Sequence, residues 1–570
     1  MKNFEPWDKS VLYQVYPWSF KEDEDRELQR GNGTLRGTAE KLPYLVDLGV
    51  DAIWVSPPYP GPMKDAGYDI SDFTDIHPDL GTLEDFDELV AKCHENGVRV
   101  MLDFIPNHTS DQHEWFQKSR RREPGYEDFY IWHPGELDKG GTRVPPNNWA
   151  SKFSKQNRLA RDRGEMPWLD EDDWTPPISA WQWDDVRGEF YLHKFIVEQP
   201  DLNWQNDRVA QAMLDSMRFW IDRGVDGFRM DAFNHAAKNY DFPDEPINEA
   251  YNEQQYVNPY YQLKIENSGN YMSEYERILK LFAGLAREYR DKGRDIQFVV
   301  ESYMDKDRLR QANEVDPEVA TTFNFEAFRL PWDARQRKEQ VDRYYATIDP
   351  RNTPNQVNGN HDNPRLASRL GDSAARAAAV MNLFLPGMRV IYNGEELGLH
   401  DGDVPSDRVQ DPSDLRDGAR MPMIWDDTQS NAGFSKAAAE DLWLPINEAD
   451  MELSAVRQKR DPKSSLALYR AAIRLCRELP VFREGRYVPA DTNNPEVFAF
   501  ARSMGGEHAF ILTNFSDETQ SVRIREALSL AYKVLLTSID VQEGSRSNVH
   551  LHDSSLELRP NESIVIAADA

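Results

Sequence analysis

Three carboxylates in this chain stand where an apolar run ends. Residues 225–230 form such a run and close on Asp231, inside the stretch Gly227-Phe228-Arg229-Met230-Asp231-Ala232-Phe233-Asn234-His235. Val299-Val300 lead into Glu301, and Asp362 lies within Asn358-Gly359-Asn360-His361-Asp362-Asn363-Pro364-Arg365. Short apolar runs read as buried strands, so each acid is delivered at a strand tip. One acid so placed is ordinary; three on successive strand ends predict a single site whose working groups are carboxyls.

The elements that must position these acids alternate. Strand-like runs at 11–15, 52–55 and 98–104 are separated by helical periodicity at 38–48 and 83–96, with Gly97 where a helix stop is wanted. This rhythm predicts parallel strands joined by crossover helices. It breaks after Asp103 for a Trp-, Pro- and charge-rich stretch and resumes with a helix at 208–223. Further strands are expected at the run ending at Asp231 and at 296–300, 321–324, 356–357 and 389–392. Eight strands close naturally as a (β/α)8 TIM barrel, whose site lies at the C-terminal ends of the strands. The expected organisation is a barrel over 1–104 and 205–480, an inserted subdomain over 105–204, and a C-terminal antiparallel β-sandwich over 481–570, where short alternating runs replace helices. The segment 239–269, rich in Asn, Tyr and Glu, is too long for an ordinary connection and is expected to shape a rim.

At 570 residues the chain exceeds what one hydrophobic core supports. Its formal charge of -31, from 98 acidic and 67 basic residues, argues against nucleic acid and anionic membranes as partners, because both demand basic surface. Only two cysteines occur, Cys93 and Cys476, so neither a disulfide framework nor a thiolate metal site is indicated. No apolar run of about 18 residues appears, and a soluble cytoplasmic protein, monomer or homodimer, is expected.

The acid-bearing stretches belong to a longer ordered set. Gly49-Val50-Asp51-Ala52-Ile53-Trp54-Val55-Ser56-Pro57, Asp103-Phe104-Ile105-Pro106-Asn107-His108 and Gln199-Pro200-Asp201-Leu202-Asn203-Trp204 come before 227–235, Glu301, His361-Asp362 and 387–398. In that order they resemble the α-amylase family of glycoside hydrolases, and within it the oligo-1,6-glucosidase and α-glucosidase group, over essentially the whole chain. The resemblance implies Asp231 as nucleophile, Glu301 as acid/base and Asp362 as the carboxylate that holds substrate hydroxyls and steadies the transition state. Retaining hydrolysis needs such a pair, one carboxylate attacking the anomeric carbon while a protonated partner serves the leaving oxygen. Arg229 is expected to hold the nucleophile ionised, with Asp103 as a support for Arg229 or for the barrel rim rather than a catalytic group. The resemblance also implies substrate contacts from His108 and His361, a Tyr68–Asp69 pair gripping the terminal glucose, and Arg365 pairing with Asp69 to close the pocket, which means exo action. Ala232 follows the nucleophile where members favouring α-1,6 bonds carry Val, whereas Lys238 matches a lysine of α-1,6-active members; α-1,4 is expected to be preferred.

One loop departs from the pattern. Close relatives carry an Asp-rich metal loop after the first strand, but here Thr34 stands where an aspartate is expected. A solvated acidic loop is the reading, with Asp23 and Asp25 as the candidate ligands should a structural Ca²⁺ bind; no cofactor or metal is expected to be required. The expected activity is thus an exo-acting retaining α-glucosidase on short oligosaccharides. A transglucosidase or sucrose isomerase on the same scaffold is the nearest alternative, and a non-catalytic carbohydrate- or partner-binding homologue is the alternative from another class.

Overall fold

A computed structural model describes residues 4–25, 29–153, 178–251, 259–326, 330–411, 416–524, 531–540, 549–550 and 555–568. Eight parallel strands form its centre: β1 (Val11–Val15), β2 (Ala52–Val55), β3 (Arg99–Phe104), β4 (Gly227–Met230), β5 (Gln297–Val300), β6 (Ala320–Thr322), β7 (Asn355–Val357) and β8 (Met388–Tyr392). They are hydrogen-bonded in the order 6-5-4-3-2-1-8-7. They are buried on both faces; β1 to β5 and β8 are mostly apolar, whereas β6 and β7 are mostly Thr, Asn and Gln. Between β6 and β7 side chains replace the ladder. Asn355 Nδ2 donates to the Thr322 carbonyl at 2.9 Å, Asn355 Oδ1 accepts from the Asn324 amide at 3.0 Å, and Thr321 Oγ1 donates to the Thr353 carbonyl at 2.7 Å. The curled sheet is the (β/α)8 TIM barrel read from the sequence.

Inside the barrel, Leu12, Trp54, Met101, Val299, Phe323, Val357 and Val390 pack into one cluster, so the centre is filled rather than open. The helix Leu83–Glu95 starts on a capping box between Thr82 and Asp85 and stops before Gly97, whose φ of 76° is the left-handed turn the sequence asked for. One helix differs from expectation. The 38–48 periodicity belongs to two helices, Leu35–Glu40 and Leu42–Leu48, because Pro43 cannot donate to the turn before it and so restarts the helix.

Between β3 and the next barrel helix, the chain builds a small antiparallel sheet from Trp132–His133, Glu189–Leu192 and Trp181–Asp184, with its own core around Trp149, Trp181 and Phe190. Bridges from His108 to Asp201 and from Tyr130 to Leu202 fasten it to the barrel mouth. Residues 154–177 of this segment, and 252–258 of the expected rim, lie outside the described residues. The C-terminal part is a six-stranded antiparallel sheet with a two-stranded sheet, Gln520–Val522 and Leu556–Leu558, packed on one face. Its other face joins the barrel core through Phe498, Phe500 and Ile511.

Candidate active site

The tips of β3, β4 and β5 put Asp103, Asp231 and Glu301 around one guanidinium. Arg229 is fully buried; its Nη1 lies 2.8 Å from Asp103 and contacts Asp231, and its Nη2 lies 2.8 Å from Glu301. Register explains the convergence, because Asp103 pairs with Arg229 across β3 and β4 and Val299 pairs with Arg229 across β4 and β5. Burial pushes the Asp231 carboxyl up, Arg229 opposes the rise, and the charges of Glu301 and Asp103 add to it. Arg229 therefore does not serve Asp231 alone, as the sequence reading had it; it is shared among three acids, and the protonation of the cluster is a property of the group. Asp103 is its support, as expected, and is itself fixed by Trp54 Nε1 and Tyr68 Oη, each donating at 3.0 Å.

Ala232 takes a left-handed conformation, φ 44° and ψ 31°, which turns its amide toward Glu301 Oε2 at 2.9 Å. For a residue with a Cβ this backbone is strained, and the strain lies between nucleophile and acid. The alanine methyl packs with Phe153, Phe195 and Ile196.

Asp362 follows β7. Burial works against its charge, but the guanidiniums of Arg416 and Arg420 hold its carboxyl well below the usual range. Arg416 Nη1 donates to it at 2.8 Å and Arg420 Nη2 at 3.1 Å. Burial holds His361 well below its ordinary pKa, hence neutral. Gln14 Nε2 meets its Nδ1 at 2.7 Å and Tyr68 Oη meets its Nε2 at 2.6 Å. With Gln14 donating, His361 carries its proton on Nε2 and Tyr68 passes its own to Asp103, so one chain of hydrogen bonds links the Asp362 loop to Arg229. His108, held near 4 by burial, keeps Nε2 within 3.2 Å of the Tyr68 carbonyl.

These groups line a cavity of about 270 Å³. Its wall includes Asp65, Tyr68, His108, Asp231, Ala232, Glu301, Asp362 and Arg416, with Phe153, Phe195, Tyr261, Tyr303 and Lys152 beside them. Four expected members do not line it: Arg229 and His361 are fully buried behind the wall, and Asp69 and Arg365 are elsewhere. Asp69 is buried in a turn where its oxygens accept the amides of Lys64 and Asp65, and burial pushes it up to about 7. Arg365 donates to the Asn393 carbonyl at 2.7 Å and lines a separate cavity of about 290 Å³ behind the Asp362 loop. The acid–arginine pair on the cavity wall is Asp65 with Arg416, at 2.7 Å. Two aspartates flank Tyr68 in the same stretch, and only the fold shows which of them turns inward. Arg416 and Arg420 come from the aperiodic 400–454 region, where no strand or helix pattern marked them.

Among the described residues, Asp23 and Asp25 belong to no cluster of acids and histidines that could hold a metal ion. Asp23 Oδ2 accepts from Thr34 Oγ1 at 3.0 Å, Asp25 is exposed, and Glu22 between them and β1 accepts the amides of Arg30 and Gly31. Asp23 and Glu22 are thus engaged by protein donors. Lys238 Nζ lies 2.8 Å from Asn107 Oδ1 and 3.0 Å from Asp201, and contacts the His235 carbonyl, so an ammonium sits in a cage of oxygens at Asn107. Lys238 is completely buried and does not face the cavity, so it supplies no direct clue to linkage.

The geometry agrees with what the chain is similar to. Residues 14–485 match the model of the alpha amylase catalytic domain, and residues 497–565 match that of the alpha-amylase SusG C-terminal domain. Maltase 1 of Drosophila virilis is 36% identical, the alignment covering 100% of this chain and 88% of that one. The oligo-1,6-glucosidase of Parageobacillus thermoglucosidasius is 32% identical, over 94% of this chain and 95% of the other. Among solved structures, the α-glucosyl transfer enzyme XgtA superposes with a TM-score of 0.82 at 31% identity, covering 99% of both chains. The trehalulose synthase MutB of Pseudomonas mesoacidophila MX-45 superposes at 0.80 and 30% identity, covering 100% of both. A barrel that brings acids from three strand tips into one cavity, matched along most of its length by the catalytic-domain model, makes this chain a member of the α-amylase family of glycoside hydrolases.

Proposed function

We propose that this enzyme is an exo-acting, retaining α-glucosidase that removes glucose from the non-reducing end of short α-glucosides. The observation that carries the reading is the Asp65–Arg416–Asp362 wall beside the Asp231–Glu301 pair. Arg416 ties the pocket shut on the side where a longer chain would have to continue, which favours a terminal glucose over an internal one. Asp231 and Glu301 are held by two nitrogens of one guanidinium. That proximity supports the short spacing of retaining enzymes, about 5–5.5 Å between carboxyls, over the wider gap that inverting enzymes need for water.

In the reaction Asp231 attacks the anomeric carbon and Glu301 gives its proton to the departing oxygen; Glu301 then takes a proton from water as water opens the glucosyl ester. Asp362, kept anionic, faces the positive charge that grows on the sugar ring. Arg229 contacts both Asp231 and Glu301, so it steadies negative charge on either one.

The small side chain of Ala232 supports α-1,4 over α-1,6 substrates. Buried thiols at Cys93 and Cys476 support a reducing, cytoplasmic setting, and among the described residues no helix is long and apolar enough to cross a membrane. The Lys238 ammonium in the Asn107 cage supports activity without a metal. Transglucosylation is the second reading, favoured by the aromatic groups of Phe153, Phe195, Tyr261 and Tyr303 on the cavity wall, which suit a sugar acceptor. NMR of the products from maltose decides between them: free glucose as the dominant product is expected, and new glucosides exceeding it would assign the transferase.

A further inference from the structure

Asp411 is completely buried and is not part of the cavity wall, yet it stands behind both arginines that hold Asp362. Its Oδ2 accepts from Arg416 Nε at 2.6 Å and from the Arg416 amide at 3.1 Å, and lies 3.8 Å from Arg420 Nη1. The same two guanidiniums converge on a single Asp362 oxygen, at 2.8 and 3.1 Å. Two like charges brought together in a dry site repel each other and draw on whatever anion lies between them. Asp65 shares Arg416 with Asp362, and Asp411 shares both guanidiniums with it. The Asp411 amide is bound to Asp417 Oδ2 at 3.0 Å, which fixes the carboxylate on the side of the arginines away from the sugar.

We propose that Asp411 is a positioning residue for the glucose subsite: it aims Arg416 at Asp65 and Asp362, and it balances Arg416 and Arg420 so that the charge of Asp362 stays available to the sugar. This rests on the reading of Asp362 as the carboxylate that steadies the transition state. Removing the charge of Asp411 takes one carboxylate away from the two guanidiniums that hold Asp362. The subsite becomes more positive just where an oxocarbenium-like sugar develops positive charge, while the hydroxyl contacts that bind ground-state glucose persist.

The test uses the full chain and its Asp411→Asn variant, which keeps the shape and one acceptor. With p-nitrophenyl α-glucoside, kcat should fall by about 10- to 100-fold, the usual effect of losing an outer partner of a working group, while KM moves less than about threefold. Binding of the cationic inhibitor 1-deoxynojirimycin should weaken by about tenfold more than binding of glucose, because only the cation senses the lost charge. A purely structural brace would lower the melting temperature and leave that inhibitor-to-glucose ratio at its parent value, and that outcome overturns the proposal. Should Asp411→Asn not be recovered folded, Asp411→Glu carries the test: it keeps the charge but shifts the arginines, so kcat should fall with the ratio within about twofold of the parent. A folded Asp411→Glu with parental kcat overturns the proposal equally. If the parent itself releases no glucose from maltose or the chromogenic glucoside, it is the functional reading that fails, not the placement of Asp411.

Discussion

Asp65 and Arg416 meet at 2.7 Å across 351 positions of sequence, and Arg416 carries that contact on to Asp362 at 2.8 Å. The end of the substrate cavity is therefore built from the same side chain that holds one of its three working acids. Under the proposed function, recognition of a terminal sugar and stabilisation of its transition state share that guanidinium.

Opening that wall should change which substrates fit. Asp65→Ala leaves Arg416 without one of its buried partners, a loss that costs about 2–5 kcal/mol where a hydrogen-bonded charge pair is broken. For maltose, kcat/KM should fall by roughly 10²- to 10³-fold, and the exclusion of substrates blocked at the terminal 4- and 6-hydroxyls should relax. Steady-state kinetics with maltose and a 4,6-capped p-nitrophenyl maltoside checks both. Unchanged discrimination would show that Asp65 does not close the pocket.

Asp231→Asn should remove turnover while keeping the fold. A drop in kcat of roughly 10⁴-fold or more is expected for loss of a covalent nucleophile. Burial raises the Asp231 carboxyl and neighbouring acids add to the crowding, so the melting temperature should hold or rise. Retained hydrolysis of maltose in this variant would take the nucleophile away from Asp231.

Linkage preference should follow Ala232 and ignore Lys238. Ala232→Val narrows the cavity beside Phe153 and Phe195 and should raise the isomaltose-to-maltose ratio of kcat/KM. Its left-handed backbone makes the branched side chain cost about 1–2 kcal/mol of stability. Lys238→Met should instead destabilise by about 3–5 kcal/mol, since it leaves the buried Asp201 unpaired, with the linkage ratio of the folded fraction unchanged. A ratio that moves with Lys238 and not with Ala232 would reverse the assignment.

One histidine outside the cavity should give stability a pH dependence. Burial disfavours charge on His400, but Asp450 and Asp372, at 2.8 and 2.9 Å, raise its pKa above the ordinary value. A raised folded pKa means that the charged form stabilises the fold, fully below about pH 6.5, the unfolded value, and that the contribution disappears as pH rises through the folded value. The gap in melting temperature between the parent and His400→Gln should therefore be widest at about pH 5.5 and close on the alkaline side. A gap that widens with pH would refute the pairing.

The sequence by itself determined what local pattern encodes. Apolar runs with period-matched helices between them specify parallel strands, and eight of them specify the barrel, because burial on both faces demands such runs and right-handed crossovers leave few ways to arrange them. Once the strands are known, Asp231, Glu301 and Asp362 follow, since a residue at a strand's C-terminal tip points to the same end as its neighbours' tips. Tertiary structure decided what depends on which loop folds over which tip. Asp65 and Asp69 are chemically alike and four positions apart; one turns into the cavity and the other caps backbone amides in a turn. Arg416, Arg420 and Asp411 lie in a region without periodicity, and a guanidinium's long side chain can meet several acids, so only packing selects Asp65, Asp362 and Asp411 as its partners. The charge state of the Arg229 cluster is likewise a product of burial and of three acids converging from different strands, and no single stretch of sequence contains it.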